Sequence, residues 1–126
     1  MIKELQAAVA EMPQIDIETQ HTFCEGVYAR EIKIPAGVVL VGAKHKTSFF
    51  VVISQGRCKI NDKTYYAPTT FISEIGAKRA IYAVTDTTLT TFHATKLTDI
   101  KEIEEAIIDE EDVELLSNNK KGVFLE

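Results

Sequence analysis

The stretch Ile34–Gly56, IPAGVVLVGAKHKTSFFVVISQG, decides the fold. Pro35-Ala36-Gly37 is a turn, because proline presets φ and glycine supplies the sharp bend. Val38–Val41 is apolar throughout, and Gly42 permits a bend into a second run, Lys44–Ile53. In that run His45, Thr47, Phe49, Val51 and Ile53 share one strand face, and Lys44, Lys46 and Ser48 share the other. The lysines belong in water, so His45 and Thr47 belong inside. Ser54-Gln55-Gly56 closes the unit as a further turn.

Upstream, Val27–Ile34 alternates in the same way, with Tyr28, Arg30, Ile32 and Ile34 on one face. Burying two isoleucines is worth about 3 to 6 kcal/mol, which directs that face inward and carries Tyr28 and Arg30 with it. A buried arginine needs an anion or a carboxylate partner, so the interior is expected to be a polar cavity rather than a dry core. Ile15-Asp16-Ile17-Glu18 reads as an edge strand, and His21–Gly26 as the link that follows it. Before them, Ile2, Leu5, Val9 and Met12 recur at steps of three and four, which predicts a short helix over residues 1–13, ended by Pro13. That helix should cap an open end of the fold or dock on a partner subunit.

Downstream, Arg57–Ile60 turns through Asn61-Asp62 into Thr64-Tyr65-Tyr66 as a tight hairpin. Phe71–Ile75, Ala80–Thr85 and Leu89–Thr95 complete the strands. Eight or nine short strands over 14–96, with no helix between them, predict a sandwich or jelly roll and exclude parallel βαβ architectures. After Thr95 the period changes. Leu97, Ile100, Ile103 and Ile107 mark an amphipathic helix, with Asp99 and Glu102 spaced as a capping box. Its apolar face should pack outside the barrel or across a dimer. Residues 97–126 thus form a C-terminal helix and an acidic tail whose apolar tip, Val123-Phe124-Leu125, is expected to dock on a neighbouring chain or to fray.

The chain has 126 residues, enough for one domain with its own core. The net charge of -5 is uneven: residues 1–100 carry 11 basic and 10 acidic side chains, and residues 101–126 carry 3 and 9. Neither part offers the basic face that nucleic-acid binding requires. No apolar run approaches the length needed to span a bilayer, and Lys3, Glu4 and Glu11 interrupt any leader-like segment, so a cytoplasmic location is expected. Cys24 and Cys58 stand alone, without zinc spacing, and Cys58 alternates with Ile60 as a buried small residue would.

The spacing around His45 resembles the cupin superfamily. The first cupin motif runs G, five residues, H-x-H, three or four residues, E, six residues, G; Pro35-Ala36-Gly37 through His45-Lys46-Thr47 to Gly56 is similar to it. The second runs G, five residues, P-x-G, two residues, H; Asp62, then Pro68-Thr69-Thr70, then Ser73 is similar to that. The resemblance covers about residues 15–95. It implies a cupin-type jelly-roll barrel, mainly β, and, as small cupins commonly pair, a homodimer. The short form, with Thr91-Phe92-His93-Ala94-Thr95 followed by an Asp-rich helix, also resembles small cupin-like proteins of phages and prophages. Cupin metal ligands are two histidines and a glutamate from the first motif and a histidine from the second. Here only His45 matches: Thr47 replaces the second histidine, Phe49 or Val51 the glutamate, and Ser73 the last histidine. One ligand of four remains where a catalytic ion takes about three, so no metal or other cofactor is expected unless His93 and Glu74 supplement His45.

The resulting expectation is a small-molecule-binding protein without a complete metal site, in the manner of a phage accessory protein. The ligand would be anionic or polyhydroxylated, with Tyr28, Arg30, His45, Thr47, Arg79, Tyr82 and His93 lining the site. No nucleic-acid or membrane partner is expected. Two alternatives stay open. One is a cupin enzyme (an isomerase, epimerase, lyase or dioxygenase) using His45 or His93 with Tyr28 or Tyr82 as its acid–base pair. The other is a structural or protein-interaction module.

Overall fold

The computed structural model describes residues 4–5, 7–8, 11–109, 112 and 121–124. Eleven strands are present: β1 (Ile15–Asp16), β2 (Glu18–Cys24), β3 (Val27–Ile34), β4 (Val38–Val41), β5 (Phe49–Gln55), β6 (Arg57–Ile60), β7 (Lys63–Tyr66), β8 (Thr69–Ser73), β9 (Ala80–Ala83), β10 (Thr87–Ala94) and β11 (Lys121–Phe124). A helix, α1, spans Ile100–Ile107. The strands form two antiparallel sheets, ordered β1-β11-β4-β9-β6-β7 and β2-β3-β10-β5-β8. The mainly β character holds, but the sheets remain separate and do not close into the expected barrel. The core lies between them. Ile32, Ile34, Ile53 and Leu89 from one sheet meet Val38, Leu40, Ile60 and Ile81 from the other, and Ile34 and Ile53 are 1% and 0% exposed. Cys58 is buried in the same cluster, and both cysteines are unpaired.

Two tight turns set the register. The Asn61-Asp62 hairpin is present, with Asn61 at φ 54°. Gly56, at φ 92°, joins β5 to β6 where an added Cβ would lie 2.1 Å from the Asp86 carbonyl oxygen. No other residue fits there.

Several expectations are corrected. His21–Gly26 is not a link: His21 to Cys24 belong to β2, which pairs along its length with β3. Ile15–Glu18 is not one strand, because the chain changes sheets at Ile17. Lys44–Ile53 is not one strand either, since β5 begins only at Phe49. The backbone of 44–46 is claimed by the chain after α1 instead: Lys46 N–H donates to Ile107 O (2.7 Å) and Asp109 N–H to Lys44 O (2.8 Å). Residues 1–3, 6, 9 and 10 of the N-terminal helix expected over 1–13 lie outside the described residues; Glu4, Leu5, Ala7 and Ala8 are helical. Leu5 and Met12 pack on Val39 and Tyr82, on the outer face of the six-stranded sheet.

The C-terminal elements differ most. The side chain of Asp99 caps α1, accepting from Glu102 N–H (3.0 Å), as the capping-box spacing predicts. Leu97, however, precedes the helix and is 38% exposed. The buried face, Ile103 and Ile107, does not pack on the outside. It joins Tyr28, Ala43 and Ile108 across one end of the sandwich. The apolar tip is not a docking tail: β11 lies between β1 and β4 in its own sheet. Gly122 makes that insertion fit, since a Cβ would approach Val38 Cγ1 to 2.6 Å.

Candidate functional site

The register of the five-stranded sheet arranges its inward side chains in rows. His21 pairs with Arg30, Arg30 with Thr91, Thr91 with Val51, and Val51 with Phe71. The next row towards α1 holds Phe23, Tyr28 and His93 on one side and Phe49 with Ser73 on the other. The row on the far side of Arg30 is aliphatic, with Ile32, Leu89 and Ile53. The interior therefore grades from polar and aromatic under the helix to mainly aliphatic at depth, where Thr19 and Thr69 flank the row.

Between the sheets lies a cavity of about 100 Å³. Of the residues expected to line it, Tyr28, Arg30, His45, Arg79 and His93 do so. Thr47 and Tyr82 do not. Thr47 falls in the bend before β5, where strand alternation no longer applies. Tyr82 alternates with inward-facing Ile81 and Ala83 and so faces the other way, onto Val39. Ser73, at the position of the last cupin histidine, also lines the cavity and accepts a hydrogen bond from Arg79 Nε (3.1 Å). Glu104 and Ile107 of α1 close the end nearest the helix. Sequence reasoning missed Glu104 and His21. The side chain of His21 meets the Tyr28 hydroxyl at 2.6 Å, and the two rings stack at 5.7 Å. Full strand pairing of β2 with β3 was the one signal that would have placed it.

His45 and His93 stack at 5.3 Å with their planes 10° apart, and Phe49 lies 4.4 Å and 4.6 Å from them. His45 Nδ1–H donates to Ala43 O (2.9 Å), which leaves Nε2 as an acceptor in the neutral ring. Nε2 of His93 meets the Thr91 hydroxyl (2.8 Å), while its Nδ1 is buried without a partner. Burial holds His45 down at about 4, helped by the Arg30 charge, against its bonds to Ala43 and the field of Asp112. Burial, then His45, then Arg30 hold His93 at about 3. Both imidazoles are neutral at pH 7. Burial pushes the Tyr28 phenol up to about 12, so it stays protonated.

Arg30 is the dominant charge. Burial pulls its guanidinium below its usual range, and Tyr28 and Glu104 draw it back up. The guanidinium lines the cavity, where the Glu104 carboxyl is its acidic neighbour and Tyr28 its phenolic one. Arg79 contributes a second guanidinium, 5.5 Å from the Phe71 ring. Outside the cavity, Asp112 fastens the His45 loop: its carboxylate accepts from Lys78 Nζ (2.6 Å) and from Lys44 N–H (2.7 Å). Burial alone would raise the Asp112 carboxyl, but these two bonds hold it below the usual carboxylate range.

The metal implied by the cupin resemblance is a poor match for these residues. Among the described residues no three His, Cys, Asp or Glu side chains converge as a ligand set. His45 and His93 would share the ion with two guanidinium cations, whose charge opposes a divalent cation.

No protein-family description matches the sequence, and no curated protein sequence does. Solved structures do match the fold. An ectoine synthase from P. lautus superposes with a TM-score of 0.57 at 14% identity, over 79% of this chain and 82% of that one. An RmlC-like cupin from Shewanella frigidimarina gives 0.54 at 18% identity, over 68% and 85%. An acetylacetone dioxygenase from Acinetobacter johnsonii gives 0.55 at 14% identity, over 66% of this chain and 65% of that one. At such identities the likeness extends to backbone architecture alone, and on that ground the chain has the cupin fold.

Proposed function

We propose that this protein binds a small anion in the cavity between its sheets, and that it does so without a resident metal. The Arg30 guanidinium carries the reading. It lines the cavity as a cation together with Arg79, and Glu104 is the one acidic side chain facing the two there. A charge in that position is costly unless a counter-charge joins it. The orphaned Nδ1 of His93 supports the same reading, because buried polar atoms ordinarily have partners. The volume of about 100 Å³ lies below the ~300–1,000 Å³ of pockets that hold drug-sized ligands. That favours an anion of few atoms over the polyhydroxylated ligand that the sequence also allowed.

The enzyme alternative loses its acid–base pair. Tyr82 faces away, the Tyr28 hydroxyl is engaged with His21, and both cavity histidines titrate far below neutrality. Two unpaired thiols, Cys24 and Cys58, accord with a cytoplasmic setting. Among the described residues no helix is long and apolar enough to cross a membrane. A phage accessory role rests on the resemblance of Thr91-Phe92-His93-Ala94-Thr95 and the helix after it to small cupin-like phage proteins.

A thermal-shift series with acetate, phosphate, sulfate and citrate tests the proposal. At least one anion should raise the melting temperature of the natural protein at millimolar concentration. Arg30→Met should abolish the shift, while Tyr82→Phe keeps it. Stabilisation that survives Arg30→Met refutes the reading.

A further inference from the structure

We propose that the bound anion is a short monocarboxylate of about two to four carbons, its head at Arg30 and its alkyl tail in the aliphatic depth. This rests on the anion-binding reading above and narrows it by polarity, charge and size.

Polarity fixes the shape of the ligand. His93 and, one row further from α1, Arg30 line the helix end of the cavity, and Ile32, Leu40, Ile60 and Leu89 surround the depth beyond them. A ligand that fills both must carry charge at one end only. A phosphate or sulfate of similar bulk would place oxygens against those four side chains, where nothing donates to them. A planar carboxylate suits the fork of a guanidinium, which offers two parallel N–H groups. His93 completes the grip. When its Nε2 accepts from the Thr91 hydroxyl, its Nδ1 carries the proton and donates to a carboxylate oxygen.

Charge limits the ligand to a monoanion. The cavity wall holds two guanidinium cations, Arg30 and Arg79, and one carboxylate, Glu104. The imidazoles add nothing, being neutral. Two guanidinium cations thus face a single acidic side chain, which favours a monoanion over a dicarboxylate. Size sets the chain length. A cavity of about 150 Å³ accepts benzene, six heavy atoms. By that scale a cavity of about 100 Å³ accepts about four or five, the size of acetate or propionate.

The experiment is calorimetric titration of the full-length protein with formate, acetate, propionate, butyrate and hexanoate, alongside propionamide, succinate and phosphate. Affinity should peak within the acetate-to-butyrate range. Propionamide should bind at least about tenfold more weakly than propionate, the loss expected for a charged hydrogen-bonding partner. Leu40→Ala, which deepens the apolar end, should move the optimum to a longer acid, a change that a merely structural Leu40 would not produce. Tighter binding of succinate or phosphate than of any monocarboxylate, still abolished by Arg30→Met, overturns this inference and leaves the anion reading standing. Propionamide binding as well as propionate overturns both, and so does the absence of heat from every anion. If Arg30→Met fails to fold, Arg30→Lys takes its place, and it should weaken propionate by at least about tenfold through loss of the two-pronged contact.

Discussion

Stability should fall steeply between pH 7 and pH 5, and the two cavity histidines should cause it. In the unfolded chain each imidazole titrates near 6.5, whereas folding holds His45 at about 4 and His93 at about 3. Between those values the unfolded chain binds protons that the folded protein refuses, so unfolding becomes easier as pH drops. Stability is fully present above about 6.5 and is lost progressively towards about 4 and 3. From pH 7 to pH 5 each histidine should remove about 2 kcal/mol, and the pair about 4 kcal/mol. That is a large share of the ~5–15 kcal/mol typical of a domain. The groups facing the pair act mostly with this trend: the Arg30 cation opposes protonation of both rings, and the Ala43 carbonyl and Asp112 favour it at His45 alone. The assay is urea denaturation at pH 7, 6 and 5, comparing the natural protein with a His45→Gln, His93→Gln double variant. His21 is present in both and cancels in the difference. A change in that difference of less than about 1 kcal/mol between pH 7 and pH 5 would refute the argument, because it would mean that the rings are hydrated in the folded state.

Asp112→Ala should cost about 3 to 5 kcal/mol in the same denaturation assay, because it strands the Lys78 ammonium, 17% exposed at its side chain, and the Lys44 amide. Adding Lys78→Met should recover part of that loss, and strict additivity of the two would count against the pairing. Gly56→Ala should destabilise by more than about 2 kcal/mol, since it meets both an unfavourable φ and the Asp86 carbonyl; Gly26→Ala, with open space around it, should cost less. The homodimer expected from the sequence is proposed to form through the outer face of the five-stranded sheet, where Phe50 and Ile72 pair across strands at 54% and 52% exposure. Light scattering should then give a dimer mass that Phe50→Glu halves, and a monomer mass for the natural protein sinks the idea.

What was legible in the sequence was local alternation. Tyr28, Arg30, Ile32 and Ile34 all lie where period two puts them, because β3 runs unbroken and both neighbours pair with it along its length. His93 follows Leu89 and Thr91 to the cavity for the same reason. Thr47 failed because alternation was extended through residues whose backbone bonds to a distant segment, at Ile107 and Asp109. Tyr82 failed because Ala83 and Ile81, not the tyrosine, supply the buried face of a four-residue strand. Arg79 lay beside Lys78 in an apparent solvent turn, yet the two diverge, one to Ser73 and the other to Asp112. The helix was found by its spacing, but its closure of the cavity depends on contacts with Tyr28 and Ala43 that no local pattern encodes.

The position of β11 bears on how the protein is made. All four residues of β4 are buried, and its edge is completed by Lys121–Phe124, which follow every other described strand in the chain. Throughout synthesis, a nascent chain already long enough to form every other strand exposes an aliphatic ribbon with one side unsatisfied. Chaperone demand and inclusion-body formation should therefore concentrate in that interval.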